Sequence, residues 1–225
     1  MAKEAYPYLV WCAAAAALLA YTAGWFPPLW WLVGLVGVAA AFIAYFFRDP
    51  ERVIPAEEDV VVAPADGLIT RLAPVNPEDP ASPWLVSIFL SPLDVHINRA
   101  PIAGVIRETL HRPGSFKSAL REDASLVNEQ LILTLEGERI TVTLKQIAGF
   151  IARRCVLWKR AGDRVARGER IGLIKFSSRT DLIVPPEVAL CVRQGERVVG
   201  GTTIVGRIRP PAECIKVLRS DEAYV

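Results

Sequence analysis

Two apolar runs stand back to back at the amino terminus. The second, Leu29 to Phe47, has 19 residues and no charge, about 28 Å as a helix, enough to cross a hydrocarbon core. The first, Tyr8 to Ala23, has 16 residues, spans about 24 Å and is marginal for crossing. Between them Gly24-Trp25-Phe26-Pro27-Pro28 combines helix breakers with aromatics that favour a lipid–water boundary. The pattern therefore predicts a pair of apolar helices over residues 1–47 that hold the chain at a membrane. Lys3, Arg48 and Arg52 flank the runs on one side, so both termini are expected in the cytoplasm and the Pro-Pro turn outside. A cleaved signal peptide fits less well, because Glu4 neutralises the basic region and a second span follows at once. A hairpin that dips into one leaflet remains open on the short first run.

Beyond Arg48 the pattern changes to strands. Trp84–Leu90 is a β-rich apolar run, and Leu131–Leu135 and Arg139–Leu144 flank Glu136-Gly137-Glu138, a hairpin signal. Gly104–Leu110, Arg154–Trp158 and Asp181–Val184 are further strands, with one or two short helices expected near Ser115–Glu129. A repeat is visible: Gly162-Asp-Arg-Val-Ala-Arg-Gly168-Glu-Arg-Ile171 matches Gly195-Glu-Arg-Val-Val-Gly-Gly201-Thr-Thr-Ile204, 33 residues on. Turn glycines between short strands are also found in lipoyl- and biotinyl-carrier sandwiches. The fold class expected is mainly β, sandwich-like, with two related carrier-like units behind the helical pair. The domains expected are an anchor over 1–47 and a β-rich catalytic domain over 48–225.

Charge sharpens this division. Residues 1–47 hold only Lys3 and Glu4, while 23 acids and 25 bases lie beyond them. A net charge of +2, without a basic stripe carrying interleaved aromatics, offers nothing for nucleic acid. Cys12, Cys155, Cys191 and Cys214 form no CxxC pair and no zinc spacing, so buried free thiols and no metal are expected.

Three stretches carry candidate chemistry: Ala63-Pro-Ala-Asp66-Gly67 at a strand start, Ser91-Pro-Leu-Asp94-Val-His96-Ile-Asn98-Arg99-Ala-Pro101, and Phe176-Ser177-Ser178-Arg179-Thr-Asp181. Each has an ordinary reading. Asp-Gly forms turns, a histidine can be structural, Asp94 and Arg99 can form a solvated pair, and His111 can shape a turn before Pro113-Gly114. A carrier module would need a lysine at an exposed hairpin tip, whereas Lys175 sits inside the apolar Leu173–Phe176 run. A serine hydrolase would need a G-x-S-x-G elbow or a Ser-x-x-Lys order, and both are missing.

Taken together, these stretches resemble the short prokaryotic form of phosphatidylserine decarboxylase. The similarity runs in order through FFRDPER (46–52), PADG (64–67), SPLDVHINRAP (91–101), RPGSF (112–116), NEQ (128–130), QIAGFIARR (146–154), GDRVARGERIGLIKF (162–176) and SRTDL (178–182). The resemblance implies self-cleavage between Ser177 and Ser178, which turns Ser178 into a covalent pyruvoyl group. That ketone would form a Schiff base with the amine of an aminophospholipid, phosphatidylserine or an archaetidylserine, and release carbon dioxide. It also implies His96 and Asp66 as catalytic residues, a retained cleaved chain, a homodimer, and an inner-membrane location facing the cytoplasm. Two departures stand out. Ser177 occupies a position where the family usually has Gly, whose freedom eases the strained backbone of cleavage. Arg99 stands where longer members carry a second histidine, so the resemblance does not name the base for Ser178, and His96 is a candidate for both reactions.

Overall fold

The apolar amino-terminal runs form two helices, α1 (Tyr6–Ala23) and α2 (Trp30–Phe46), each led in by a single 3-10 turn, Lys3–Ala5 and Pro27–Leu29. In this computed structural model the described residues are 1–118, 124–149, 154–175 and 178–209. Pro7 lies in the first turn of α1, where its missing N–H leaves no helical bond unmade. Because α1 begins at Tyr6 rather than Tyr8, it has 18 residues and spans about 27 Å, which removes the marginal length expected from the sequence. Both stretches, Lys3–Ala23 and Pro27–Phe46, are long and apolar enough to cross a membrane, with mean hydropathies of 1.3 and 2.1. Their outer faces are exposed at Trp11, Trp31 and Val38. The Ala2 N–H donates to the Phe47 carbonyl at 2.9 Å, closing an antiparallel hairpin.

The rest of the described chain is almost all strand, as the alternating pattern predicts. In order come β1 (Val60–Val62), β2 (Gly67–Pro74), β3 (Trp84–Leu90), β4 (Ile97–Arg99), β5 (Gly104–Arg112), a four-residue α3 (Ala124–Val127), β6 (Gln130–Glu136) and β7 (Thr141–Ala148). Then follow β8 (Cys155–Leu157), β9 (Arg164–Val165), β10 (Arg170–Ile174), β11 (Ser178–Val184), β12 (Val188–Leu190), β13 (Arg197–Val198) and β14 (Ile204–Ile208). They build one eight-stranded sheet, β13-β2-β3-β11-β7-β6-β5-β9, and two three-stranded sheets, β1-β14-β12 and β4-β10-β8.

This order resolves into two equivalent halves. β13-β2-β3-β11 with β1-β14-β12 mirrors β9-β5-β6-β7 with β4-β10-β8. The repeat seen in the sequence is β9-turn-β10 against β13-turn-β14, and its glycines share a left-handed backbone: Gly162 and Gly195 at φ 94° and 86°, Gly168 and Gly201 at 76° and 79°. β11 and β7, one from each half, pair antiparallel at the centre, which relates the halves by an approximate two-fold. Strands β1 to β3 belong to the first half, the chain then builds the whole second half, and at Ser178 it returns to the first. The apolar faces of all the sheets meet in one core that includes Ile69, Ile88, Ile106, Leu135, Leu144 and Leu182.

Some local expectations change. His111 lies on β5, exposed, with Nε2 3.3 Å from Glu129, and shapes no turn. Asp94 and Arg99 do not pair: Asp94 meets Arg197, and Arg99 lies 3.5 Å from Asp49. Of the one or two short helices expected near Ser115–Glu129, the described residues show α3, with Ser115 bridged to Asn128, and residues 119–123 of that stretch lie outside the described residues.

Candidate active site

Ser178 opens β11, paired with Leu90 of β3 on one side and Ala148 of β7 on the other. Strand alternation places Ser178, Thr180 and Leu182 on the core face, beside Leu90, Ile88 and Val86. Arg179 and Asp181 take the opposite face, where they form a buried ion pair: Arg179 Nε donates to Asp181 Oδ1 at 2.6 Å, and Nη2 also reaches Ser87 Oγ at 2.8 Å. Ser178 is fully buried, yet its Oγ has no hydrogen-bond partner. Such an unmet group costs about 1–3 kcal/mol, so its retention needs a reason other than packing.

The layer over that face is β4 with β10. Asn98 Nδ2 donates to Thr180 Oγ1 at 2.9 Å and joins β4 to β11. His96 precedes Asn98 by two residues, as Ser178 precedes Thr180, and its carbonyl accepts from Ile174 N–H at 3.2 Å. His96 is 2% exposed. Its Nδ1 lies 3.0 Å from the Asp94 carbonyl, which can only accept, so Nδ1 carries the proton and Nε2 offers a lone pair. Nε2 is itself buried without a partner. Burial is the main cause that lowers the imidazole pKa to about 4, against the Asp94 carbonyl and carboxylate, with Arg48 adding to the fall. The ring is therefore neutral at pH 7, with its Nε2 lone pair available.

Asp66 stands immediately before β2, where Gly67 has φ 153° and a Cβ would lie 2.2 Å from the Phe89 carbonyl. Its carboxylate accepts from Arg52 Nη2 at 2.7 Å and from Gly200 N–H at 2.8 Å. Burial nevertheless raises its pKa, opposed by Gly200 and Arg52 and aided by Asp94. Asp66 makes no hydrogen bond to His96 in the structure; the Asp94 carbonyl orients that ring instead. The third expected participant, Ser177, lies outside the described residues, as does Phe176.

The FFRDPER stretch (46–52) has a physical role that its residue types alone did not reveal. Phe46 packs on His96 with ring centroids 4.3 Å apart, and Phe47 stacks on Tyr8 at 5.8 Å. Arg48 donates to the carbonyls of Leu93 and Tyr45. Asp49 and Glu51 both hold Arg170 at 2.7 Å, and the Pro50 carbonyl accepts from buried Arg99 at 3.0 Å. Phe46, Phe47, Ala2 and Ala5 share one apolar cluster with Val95, Ile97 and Leu173. The end of the helical pair is thus packed into the wall of the candidate site. Sequence reading also missed Gln146, whose Nε2 donates to Asn98 Oδ1 at 2.8 Å and whose Oε1 is a third buried atom without a partner. Lys175, which a carrier would need at an exposed tip, is half-buried, with Nζ 3.4 Å from Tyr8 Oη.

Comparison with known proteins shows the family. The family model described as phosphatidylserine decarboxylase matches residues 39–206. A phosphatidylserine decarboxylase proenzyme of Solibacter usitatus (strain Ellin6076) is 50% identical over 200 residues, covering 89% of this chain and 93% of that protein. The protein of the same description from Geobacter metallireducens is 40% identical over 210 residues, covering 92% and 95%. That from Salinibacter ruber is 48% identical over 178 residues, covering 76% and 78%.

Proposed function

The chain belongs to the phosphatidylserine decarboxylase family and is an enzyme of that activity, and we propose that it works through a pyruvoyl group made from its own Ser178. The observation that carries this reading is the unpartnered, fully buried Ser178 Oγ under the layer that holds the unpartnered His96 Nε2. The relatives' description as proenzymes supports a processing step.

In this reading His96 Nε2 takes the Ser178 hydroxyl proton, and Oγ attacks the carbonyl carbon of Ser177. The C–O bond forms, the C–N bond to Ser178 breaks, and the freed nitrogen is protonated, leaving an ester. Elimination releases the carboxylate of Ser177 and leaves dehydroalanine, which takes up water to give pyruvoyl and ammonia. Chains 1–177 and 178–225 result. The residues around Ser178 are compatible with a small planar ketone there: its cross-strand neighbours Leu90 and Ala148 are apolar, and Ser178 Oγ, His96 Nε2 and Gln146 Oε1 are unspent. When formed, the group supplies a carbonyl that binds the substrate amine and takes up the electrons released with carbon dioxide.

His96 then manages the proton that the substrate carbon gains. Because the ring is neutral at pH 7, it first accepts a proton from the incoming substrate and afterwards returns it. Asp66 lies beyond direct hydrogen bonding of His96 and acts through the charge balance with Asp94, Arg48 and Arg52. The two apolar helices support a site held at a membrane, with Phe46 joining the helical pair to the site, and the flanking Lys3, Arg48 and Arg52 favour a β domain on the cytoplasmic side. Phosphatidylserine is the substrate favoured by the family; an archaetidylserine presents the same head group.

The test is processing on a denaturing gel. Unmodified protein separates into two chains, Ser178→Ala stays whole, and Ser177→Gly cleaves faster by relieving the Cβ restriction at the scissile bond. An unprocessed but fully active chain, or normal cleavage of Ser178→Ala, contradicts the reading.

A further inference from the structure

Gln146 lies on β7 directly opposite Thr180, and Ala148 opposite Ser178, so Gln146 and Ser178 share a sheet face as diagonal neighbours. The orientation of its amide is fixed by a chain of obligatory partners. The Pro64 carbonyl can only accept, and Asn98 Nδ2 points to it at 3.4 Å while also donating to Thr180 Oγ1. Asn98 Oδ1 is therefore the acceptor for Gln146 Nε2 at 2.8 Å, and Gln146 Oε1 is left facing no donor. Gly172 of β10 makes room for this amide, since a Cβ there would lie 3.1 Å from Gln146 Nε2 and 2.2 Å from the Val156 carbonyl. Gln146 is 2% exposed, so water does not readily meet the need of its oxygen.

Three buried atoms without partners, Ser178 Oγ, His96 Nε2 and Gln146 Oε1, thus belong to the neighbouring strands β11 and β7 and the turn into β4. The first two have roles in the proposed chemistry; the third has none there. All are able to accept a proton or a hydrogen bond, and a primary amine is the substrate group that supplies N–H donors. We propose that Gln146 Oε1 is the acceptor of an amine subsite that receives the serine amino group of the phospholipid and orients it toward residue 178. This rests on the pyruvoyl reading of Ser178. An amide oxygen serves this purpose better than a carboxylate would. It holds an N–H without the full negative charge that keeps an amine protonated, and so leaves the nitrogen lone pair available for attack.

The experiment uses the processed full-length protein after its ketone has been reduced with borohydride, so that binding is read without turnover. Two short-chain probes are compared at pH 8: dihexanoyl phosphatidylserine, and its analogue with hydrogen in place of the amino group. Unmodified protein is expected to bind the amine-bearing lipid about tenfold more tightly, the size of one well-made hydrogen bond. Gln146→Met, similar in shape but without the acceptor, is expected to lose that preference while keeping its affinity for the amine-free lipid. Gln146→Glu, buried and therefore protonated, still donates to Asn98 and keeps a carbonyl oxygen, so it retains the preference. Equal binding of the two probes by unmodified protein overturns the proposal, as does a preference that persists in Gln146→Met or vanishes in Gln146→Glu. If Gln146→Met does not fold, the unmodified and Gln146→Glu proteins decide. The two-chain pattern on a denaturing gel, scored first, separates failure of the amine subsite from failure of the pyruvoyl reading.

Discussion

A buried serine and a buried histidine, each with one unmet polar atom, are costly to keep, and that cost is the physical mark of this site. For His96 it has a pH consequence with a definite sign. In the unfolded chain the ring titrates near 6.5, and in the fold near 4. Above pH 6.5 the ring is neutral in both states and contributes nothing. Between 6.5 and 4 the unfolded chain binds a proton that the fold refuses, so stability falls by up to about 3 kcal/mol and then levels off. Thermal midpoints of the detergent-solubilised protein at pH 7 and pH 4.5 are expected to differ less in His96→Gln than in unmodified protein; equal differences would mean that the ring is not desolvated. For catalysis, His96→Ala that has already been processed is expected to bind lipid normally while turnover per processed chain falls about a hundredfold. Near-normal turnover would shift the proton role to Asp66 or water. His96, Asp66 and Ser178 could be singled out from residue type and resemblance. Gln146 could not, because nothing in a glutamine's sequence context shows that both neighbours of its amide are spoken for on one side only.

At the scale of elements, the end of α2 and the start of β11 decide how the site is held. The hydrophobic pattern located α2 correctly, and its boundary near Phe47 marks where the apolar helices give way to the strand-rich chain. It could not show that Phe46 and Phe47 are buried against Val95, Ile97 and Leu173, since an apolar residue reads the same against lipid as against protein. Removing residues 1–47, which from sequence affects retention more than chemistry, is therefore expected to cost activity even on water-dispersed lipid. The narrower test is Phe46→Ala, which bares the His96 ring. Turnover is expected to fall at least tenfold, with little change for the exposed Val38→Ala on the same helix. Strand periodicity likewise found β3, most of β6 and the first half of β7, but it began the β11 strand at Asp181. Ser178-Arg179-Thr180 carries too much polarity to read as buried strand. The structure accommodates it because Arg179 is neutralised by Asp181 and Thr180 by Asn98. Asp181→Ala, which removes the carboxylate paired with the buried Arg179, is expected to destabilise the domain by about 3–5 kcal/mol in denaturant unfolding.

The molecule as a whole is two related β halves with the second inserted into the first, and the glycine-spaced repeat was the sequence's trace of them. A second trace went unread: Ala63-Pro64-x-x-Gly67-x-Ile69, leading into β2, matches Ala100-Pro101-x-x-Gly104-x-Ile106, leading into β5, but it is too short to be noticed without the topology. Under the proposed cut at Ser178, this architecture would hold the two parts together. Residues 178–208 supply β11, β12, β13 and β14, which pair with β3, β7, β2 and β1 of the larger chain. Both chains are expected to co-elute under native conditions and to part only in denaturant. The anchor predicts orientation as well: a reporter active only outside the cytoplasm, fused after Val225, is expected to stay silent, and strong activity would reverse the topology. The most direct test of the central claim is the intact mass, under denaturing conditions, of protein with full decarboxylase activity. The account predicts two species, residues 1–177 and a fragment of 178–225 whose blocked first residue has the mass of pyruvoyl in place of serine. A fully active preparation showing only the uncut 24.7 kDa chain would contradict it.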